Sequence, residues 1–341
     1  MPVTASAQRL GWWSCFAAAL CFGASTPATK LLVGDGGPLT LAGLLYLGAA
    51  IAVLPFQRRE ARPVGLAPQR GLLLLTVVIG GGVAPVLLLL ALHRTTSGTV
   101  SVLLNLELVA TALIARLFLH EQIGRRAAIG IGVVFTGGVI AAGVGDARPA
   151  LGALLVAGAC ICWGADNAIT ARLDRYTPAT ITVAKGLVAG SVNLALGLAL
   201  ESAPPWRTVV AALAIGSVGY GLSIMWWIRG ARRIGAARGQ AVFALAPFVG
   251  AVLAWPVLGE RPVGRVVAAF VVALTGVAIV MTAGHRHLHR HAVLVHAHTI
   301  DPQDPHHLPG TIDLLDGDVH RHHELVHEHA HLPDVHHRHD H

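Results

Sequence analysis

A chain of 341 residues with 54% hydrophobic and only 13% charged residues, and a mean hydropathy of +0.63, cannot clothe itself in an ordinary water-facing surface. A soluble globular plan is excluded, and the solvent of most of the chain is lipid. The formal net charge of +7 comes from arginines scattered over short loops, not clustered with aromatics on one surface, which excludes a nucleic-acid partner.

In chain order the sequence predicts ten apolar spans, at 11–33, 39–56, 72–92, 97–118, 127–144, 151–172, 179–200, 208–228, 236–258 and 264–282. Most approach the roughly 20 residues a helix needs to cross about 30 Å of hydrocarbon. Runs such as Leu72–Leu92 are apolar on every face, which fits helices and not the alternating strands of a barrel. The first span follows Arg9 without a small-residue cleavage site after it, so it is expected to be retained. Cys15, Cys21, Cys160 and Cys162 all fall inside spans, where free cysteine is a packing residue, and no disulfide framework is expected.

With the amino terminus in the cytoplasm, Arg58, Arg59, Arg62, Arg70, Arg125, Arg126, Arg172, Arg175, Arg229, Arg232, Arg233 and Arg238 fall inside. Only Arg94, Arg148, Arg207, Arg261 and Arg265 fall outside. This asymmetry satisfies the positive-inside rule, and an even number of spans returns the carboxyl terminus to the cytoplasm. The expected location is the cell membrane, crossed many times.

The chain repeats itself. Ala91–Gly143 and Gly230–Thr282 align without a gap at an offset of 139 residues, so that Arg94 falls on Arg233, Leu117-Phe-Leu-His-Glu121 on Pro256-Val-Leu-Gly-Glu260 and Gly137 on Gly276. Cys21-Phe-Gly-Ala24 resembles Cys162-Trp-Gly-Ala165 at an offset of 141. The halves are 1–145 and 151–283. Five spans each make them opposite in orientation, an inverted repeat of the kind carriers use.

This arrangement resembles the EamA-like branch of the drug/metabolite transporter superfamily, over about residues 11–283. The resemblance implies an all-α membrane protein of ten transmembrane helices in two inverted five-helix repeats. In that family the fourth helix of a repeat carries Glu-Pro or Pro near its middle and then an apolar run ending in Gly-Glu. The second repeat has Pro247 and Gly259-Glu260. The first keeps Glu107 and Glu121 but has Leu108 and His120 where proline and glycine are expected, which leaves its fourth helix without the kinking residue. The resemblance also implies a mid-membrane substrate cavity exposed alternately to the two sides, without covalent chemistry.

Ionisable groups inside a bilayer are costly and call for a partner or a water-filled path. Glu107, at the middle of the fourth span with Asn105 two residues before it, reads either as a proton-coupling or substrate-binding carboxylate or as a hydrogen bond that fixes packing. Asp166 and Lys185 lie at equal depth in spans six and seven and are expected to pair, as a gate or as a neutralising lock, with Asn167 completing their network. Lys30, near the outer end of the first span, either snorkels to the headgroups or attracts an anionic solute. Trp163 and Tyr220 are candidates to line a cavity, while Trp226 and Trp227, just before Arg229, read as interfacial anchors. Gly186-x-x-x-Gly190 and Gly216-x-x-Gly219-x-Gly221 read as close helix packing.

After Gly284 the composition changes: 18 of the 20 histidines lie in residues 285–341, with nine acidic residues and four arginines. This cytoplasmic tail, 284–341, is expected to be disordered until metal binds. The candidate ligands are His285, His287, His289, His291, His320, His322, His323, His327, His329, His331, His336, His337, His339 and His341, which suit Zn²⁺, Ni²⁺ or Co²⁺. Two H-E-x-x-H matches, at 323–327 and 327–331, arise from composition and carry no protease reading.

The expected function is a carrier exporting a small organic solute, with Glu107 as the candidate for proton coupling, needing no cofactor. Its expected partners are the bilayer, the solute and a second copy of the chain. Two alternatives remain: a transporter of Ni²⁺, Co²⁺ or Zn²⁺, and a membrane-anchored metal buffer or sensor. An intramembrane enzyme has no credible catalytic constellation to support it.

Overall fold

The computed structural model describes residues 5–57, 69–118, 123–143, 147–170, 172–173, 176–234, 242–282, 285–291, 294–297, 312–316, 319–322 and 325–331. Two compact units result, Thr4–Thr282 and a second that holds Ala283–His341.

The described residues of the first unit form helices joined by turns and short loops, with no strand among them. In order its helices are α1 (Ala5–Lys30), α2 (Pro38–Gln57), α3 (Arg70–Arg94), α4 (Ser97–Phe118), α5 (Arg125–Ala142), α6 (Ala147–Thr170), α7 (Pro178–Leu200), α8 (206–234), α9 (Ala246–Leu258) and α10 (Gly264–Met281). Eight of them, α2 to α8 and α10, contain a stretch long and apolar enough to cross a membrane. α9 is a shorter apolar helix of 13 residues. Apolar side chains such as Leu74, Leu113, Leu154, Leu198 and Val271 are exposed, as a lipid-facing surface requires.

The core lies where α2, α3, α4 and α6 meet. Leu41 and Leu45 of α2, Leu88, Leu89 and Leu92 of α3, Val100 and Leu103 of α4 and Val156 of α6 are fully enclosed there. α2 is gripped on both sides by glycines. A Cβ at Gly186 of α7 would lie 2.5 Å from the Tyr46 carbonyl oxygen, and one at Gly216 of α8 would lie 2.0 Å from that of Leu45. The spaced glycines therefore do pack helices. α5 and α10, fifth helices of the two halves, pair in the same way, with Gly130 against Gly276.

The second unit departs from the expected disorder. Five strands are described: β1 (His285–His291), β2 (Leu294–Ala297), β3 (Ile312–Asp316), β4 (Val319–His322) and β5 (Leu325–His331). β1 pairs antiparallel with β5, and β4 lies between β2 and β3. Segments such as His285-Arg-His-Leu-His-Arg-His291 alternate with a period of two, which suits a strand, and pairing satisfies the backbone polar groups. The register sets His285 opposite His331, His287 opposite His329 and His289 opposite His327. The second H-E-x-x-H match lies in β5, a strand and not the helix that motif needs. His323, His336, His337, His339 and His341 lie outside the described residues, as do His120 and Glu121.

Candidate functional site

Three helices are interrupted by π-helical turns, and none of these was signalled by hydropathy. They lie at Val77–Val83 in α3, Lys185–Ala189 in α7 and Gly216–Leu222 in α8. The turns in α3 and α8 are related by the same offset of 139 residues that aligns Ala91–Gly143 with Gly230–Thr282. Both are glycine-rich, Gly80-Gly-Gly82 in one and Gly219-Tyr-Gly221 in the other. A π turn disturbs the regular i to i−4 ladder, and such turns occur often at functional sites.

In α3 the π turn presents its carbonyls to neighbouring side chains. The Gly80 carbonyl accepts hydrogen bonds from the Tyr46 hydroxyl of α2, at 2.7 Å, and from the Trp163 indole N–H of α6, at 3.1 Å. The Gly82 carbonyl accepts from the Asn193 amide of α7 at 3.1 Å. Three helices, α2 of the first half and α6 and α7 of the second, are thereby tied to one turn of α3.

Asp166 and Lys185 meet as expected. Lys185 Nζ donates to both carboxylate oxygens at 2.6 Å, and the Thr170 hydroxyl adds a bond of 3.3 Å. Asp166 is 6% exposed. The pair presses on the π turn: a Cβ at Gly80 would come within 2.3 Å of Asp166 Cγ, and one at Gly81 within 3.3 Å of Lys185 Cβ. Only glycine leaves room for it.

Asn167 does not complete that pair. Its amide instead donates to Glu107 Oε1 at 2.8 Å, joining α6 to α4. Glu107 and Tyr46 are half-buried, and Asn167 is exposed. Tyr220 sits on the π turn of α8, its ring 5.7 Å from Phe22 and 5.9 Å from Tyr46.

Glu107 stands just beyond a break in α4. The helix is interrupted at Leu104–Asn105, where Asn105 N–H bonds to Val102 and Leu108 N–H to Asn105, each three residues back. The Cys160 thiol donates toward the Leu103 and Leu104 carbonyls at 3.8 Å. In the second repeat the same pattern recurs at Ala244–Leu245, where Leu245 bonds to Val242 and Phe248 to Leu245. Thus the first repeat breaks its fourth helix without the proline that the second has at 247. Asn105 serves the break itself, its buried amide donating to the Val102 carbonyl at 3.0 Å.

At the helix ends, acidic residues of the second half hold helices of the first. Glu260 accepts from the Ser97 and Gly98 N–H groups, at 2.7 and 2.9 Å, at the start of α4. Glu201 accepts from Leu39 and Thr40 N–H, each at 2.9 Å, and from the Thr40 hydroxyl at 2.8 Å, at the start of α2. A carboxylate suits the positive end of a helix and satisfies donors with no partner within it. This explains the Gly-Glu motif: Gly259 takes φ +64°, which favours glycine, and turns the chain so that Glu260 reaches α4. Between α1 and α2, Asp35, His93 and Glu201 border a cleft of about 300 Å³.

Two readings from sequence are corrected. Lys30 does not reach for headgroups; its amine donates to the Leu92 carbonyl and, at 3.0 Å, to that of Thr95, capping the end of α3. Its favoured place is the negative end of a helix dipole. Trp227 is not an interfacial anchor, because its indole N–H is buried and the ring packs 6.0 Å from Phe243 beside Cys15. The caps by Glu201 and Lys30, and the π turns, were missed. Glu260 was legible as a motif, but its partner lies more than 160 residues away in sequence. Among the described residues no group of three or more His, Cys, Asp and Glu is placed to hold a metal ion.

Comparison with known proteins gives this geometry a family. The model of the EamA-like transporter family matches twice, over residues 9–142 and 150–282. An uncharacterized transporter of Methanothermobacter thermautotrophicus is 27% identical over 297 residues, covering 80% of this chain and 87% of the relative. The uncharacterized transporter YdeK of Bacillus subtilis is 29% identical over 271 residues, covering 74% of this chain and 90% of the relative. A crystal structure with 16% sequence identity shares the fold at a TM-score of 0.58, over 81% of this chain and 98% of that one. The chain is a multi-pass membrane protein and belongs to the EamA-like transporter family.

Proposed function

We propose that this protein is a secondary transporter that exports a small organic solute by alternating access, coupled to protons through Glu107. The observation that carries the reading is the Glu107–Asn167 bond, which joins the two halves, beside the Asp166–Lys185 pair of the second half. In this reading α1 and α9 also cross the membrane, giving ten spans, with both termini in the cytoplasm. The Glu201 and Glu260 contacts then seal the outer side.

The tail is proposed to bind Zn²⁺, Ni²⁺ or Co²⁺ on the cytoplasmic side. The cross-strand histidine register of β1 and β5 supports this, and it also favours a second reading in which the helical unit merely anchors a metal buffer.

The test is counterflow in proteoliposomes containing the full chain, a Glu107→Gln variant and a chain ending at Thr282, with organic solutes and with the three metals. Movement of an organic solute that Glu107→Gln abolishes and truncation spares is the expected result. Saturable movement of metal alone overturns it, and metal binding to the tail with no solute moved favours the buffer.

A further inference from the structure

We infer that His296, His320 and His322 form a site for one Zn²⁺, Ni²⁺ or Co²⁺ ion on the sheet of β2, β4 and β3, with one coordination position left open; this rests on the reading above that the tail binds metal. The support is strand register. Opposite residues of an antiparallel pair share a face, and neighbours along a strand alternate between faces. By their paired positions, all ten histidines of the described strands lie on one face of their own sheet, seven on β1–β5 and three on β2–β4–β3. Histidines strewn by composition alone would occupy both faces of each sheet.

In the three-stranded sheet the histidines are close neighbours on that face. His296 of β2 stands directly opposite His320 of β4, and His322 follows two positions on. β4 is the middle strand, so its two histidines are held in register from both sides. On the other face Arg321 sits opposite Asp313 of β3, a pairing of opposite charges that favours this register over a slip by one residue. Directly opposite positions lie about 5 Å apart, and positions two apart on one strand about 7 Å. Zn²⁺ holds imidazole nitrogens at about 2 Å, and rings carried on such a triangle can reach a common ion by rotation about their side-chain bonds. Among the described residues no three His, Cys, Asp or Glu are already gathered on one point. The register therefore supplies the ligand set, and the ion draws it in.

The same face decides which ion is taken. Its other paired positions are Leu294, Ile312 and Leu314, and Asp313 is placed on the opposite face. An all-imidazole set suits Zn²⁺, Ni²⁺ and Co²⁺, whereas Mg²⁺ and Ca²⁺ need oxygen ligands. With three protein ligands and no fourth donor among these positions, one place on the ion falls to water or an exchangeable ligand. The seven histidines of β1–β5 exceed what one ion needs and impose no such opening. His296 was not singled out from sequence, and it joins the set only through its pairing with His320.

The experiment uses the full chain, purified in detergent without a histidine tag and stripped with a chelator. It is dialysed against Zn²⁺ with Mg²⁺ in excess, and the bound zinc is counted per chain. His296→Ala is expected to lose one ion. His320→Arg together with Arg321→His keeps the composition and moves one histidine to the opposite face, and it is expected to lose one ion as well. All three substitutions together are expected to lose one ion and not two, because the histidines share a site. Arg321→Lys keeps every histidine and the charge opposite Asp313, and is expected to keep the ion, which guards against a folding defect in the exchange. With Co²⁺, the difference spectrum between the natural chain and His296→Ala is expected to carry four-coordinate visible bands that shift when thiocyanate is added. An undiminished count in the exchange, loss of two ions in the combined variant, loss of the ion in Arg321→Lys or bands indifferent to thiocyanate overturns the proposal while leaving the metal-binding reading of the tail intact. Absence of bound zinc in the natural chain removes that reading itself.

Discussion

Lys185 Nζ sits 2.6 Å from each carboxylate oxygen of Asp166, in a pair almost wholly enclosed by helices. Breaking a buried pair strands a charge, whereas removing both charges does not. Lys185→Met is therefore expected to lower stability by about 3–5 kcal/mol, and Asp166→Asn in the same background to restore most of it. Thermal unfolding of the three variants in detergent checks this; equal loss in single and double variants would show that the pair does not act as a unit.

Gly80→Ala forces a Cβ to within 2.3 Å of Asp166 Cγ, while at Gly82 the nearest atom is 3.7 Å away. The first is expected to cost about 1–3 kcal/mol and to impair transport. The second is expected to be neutral or stabilising by up to about 1 kcal/mol, as alanine is the better helix former. Denaturation midpoints and counterflow rates of the two variants, measured side by side, decide the matter.

Glu260→Ala leaves the Ser97 and Gly98 N–H groups without their acceptor, and Glu201→Ala does the same at Leu39 and Thr40. Each is expected to cost about 1–2 kcal/mol, as loss of a helix cap does. The two caps serve different helices, so their costs are expected to add. A double variant far less stable than the sum would mean that the caps support one another.

Cys160 is buried behind the break in α4, while Cys162 is partly accessible. In single-cysteine variants held in detergent, a maleimide is expected to modify Cys162 in the folded protein and Cys160 only after unfolding. Equal labelling rates would contradict the packing of α6 against Leu103 and Leu104.

The helical frame was legible because hydropathy reports the solvent directly. Most observed helices begin and end within four residues of the predicted spans; α1 starts six residues before its span, α8 ends six residues after its span, and α9 is described from Ala246 where the span was expected from 236. The Asp166–Lys185 pair was legible too, since opposite charges at equal depth in adjacent apolar helices have few other options. Asn167 was assigned to the wrong partner because sequence gives its depth but not the rotation of α6 against α4. The break before Glu107 was obscured for a related reason. Proline announces a break in the second repeat, but in the first it depends on a thiol from another helix meeting the released carbonyls. The π turns are set by the same kind of distant contact, which local propensity does not contain.

The contacts made by Glu201 and Glu260 join backbone N–H groups to carboxylates, and water can replace every partner in them. Parting them exchanges one set of hydrogen bonds for another, and a seam of this kind separates with little net loss. The Asp166–Lys185 pair, shielded from water, has no such substitute and resists parting. The caps therefore join the two halves by a seam that solvent can part, whereas the Asp166–Lys185 pair rivets α6 to α7 inside the second half.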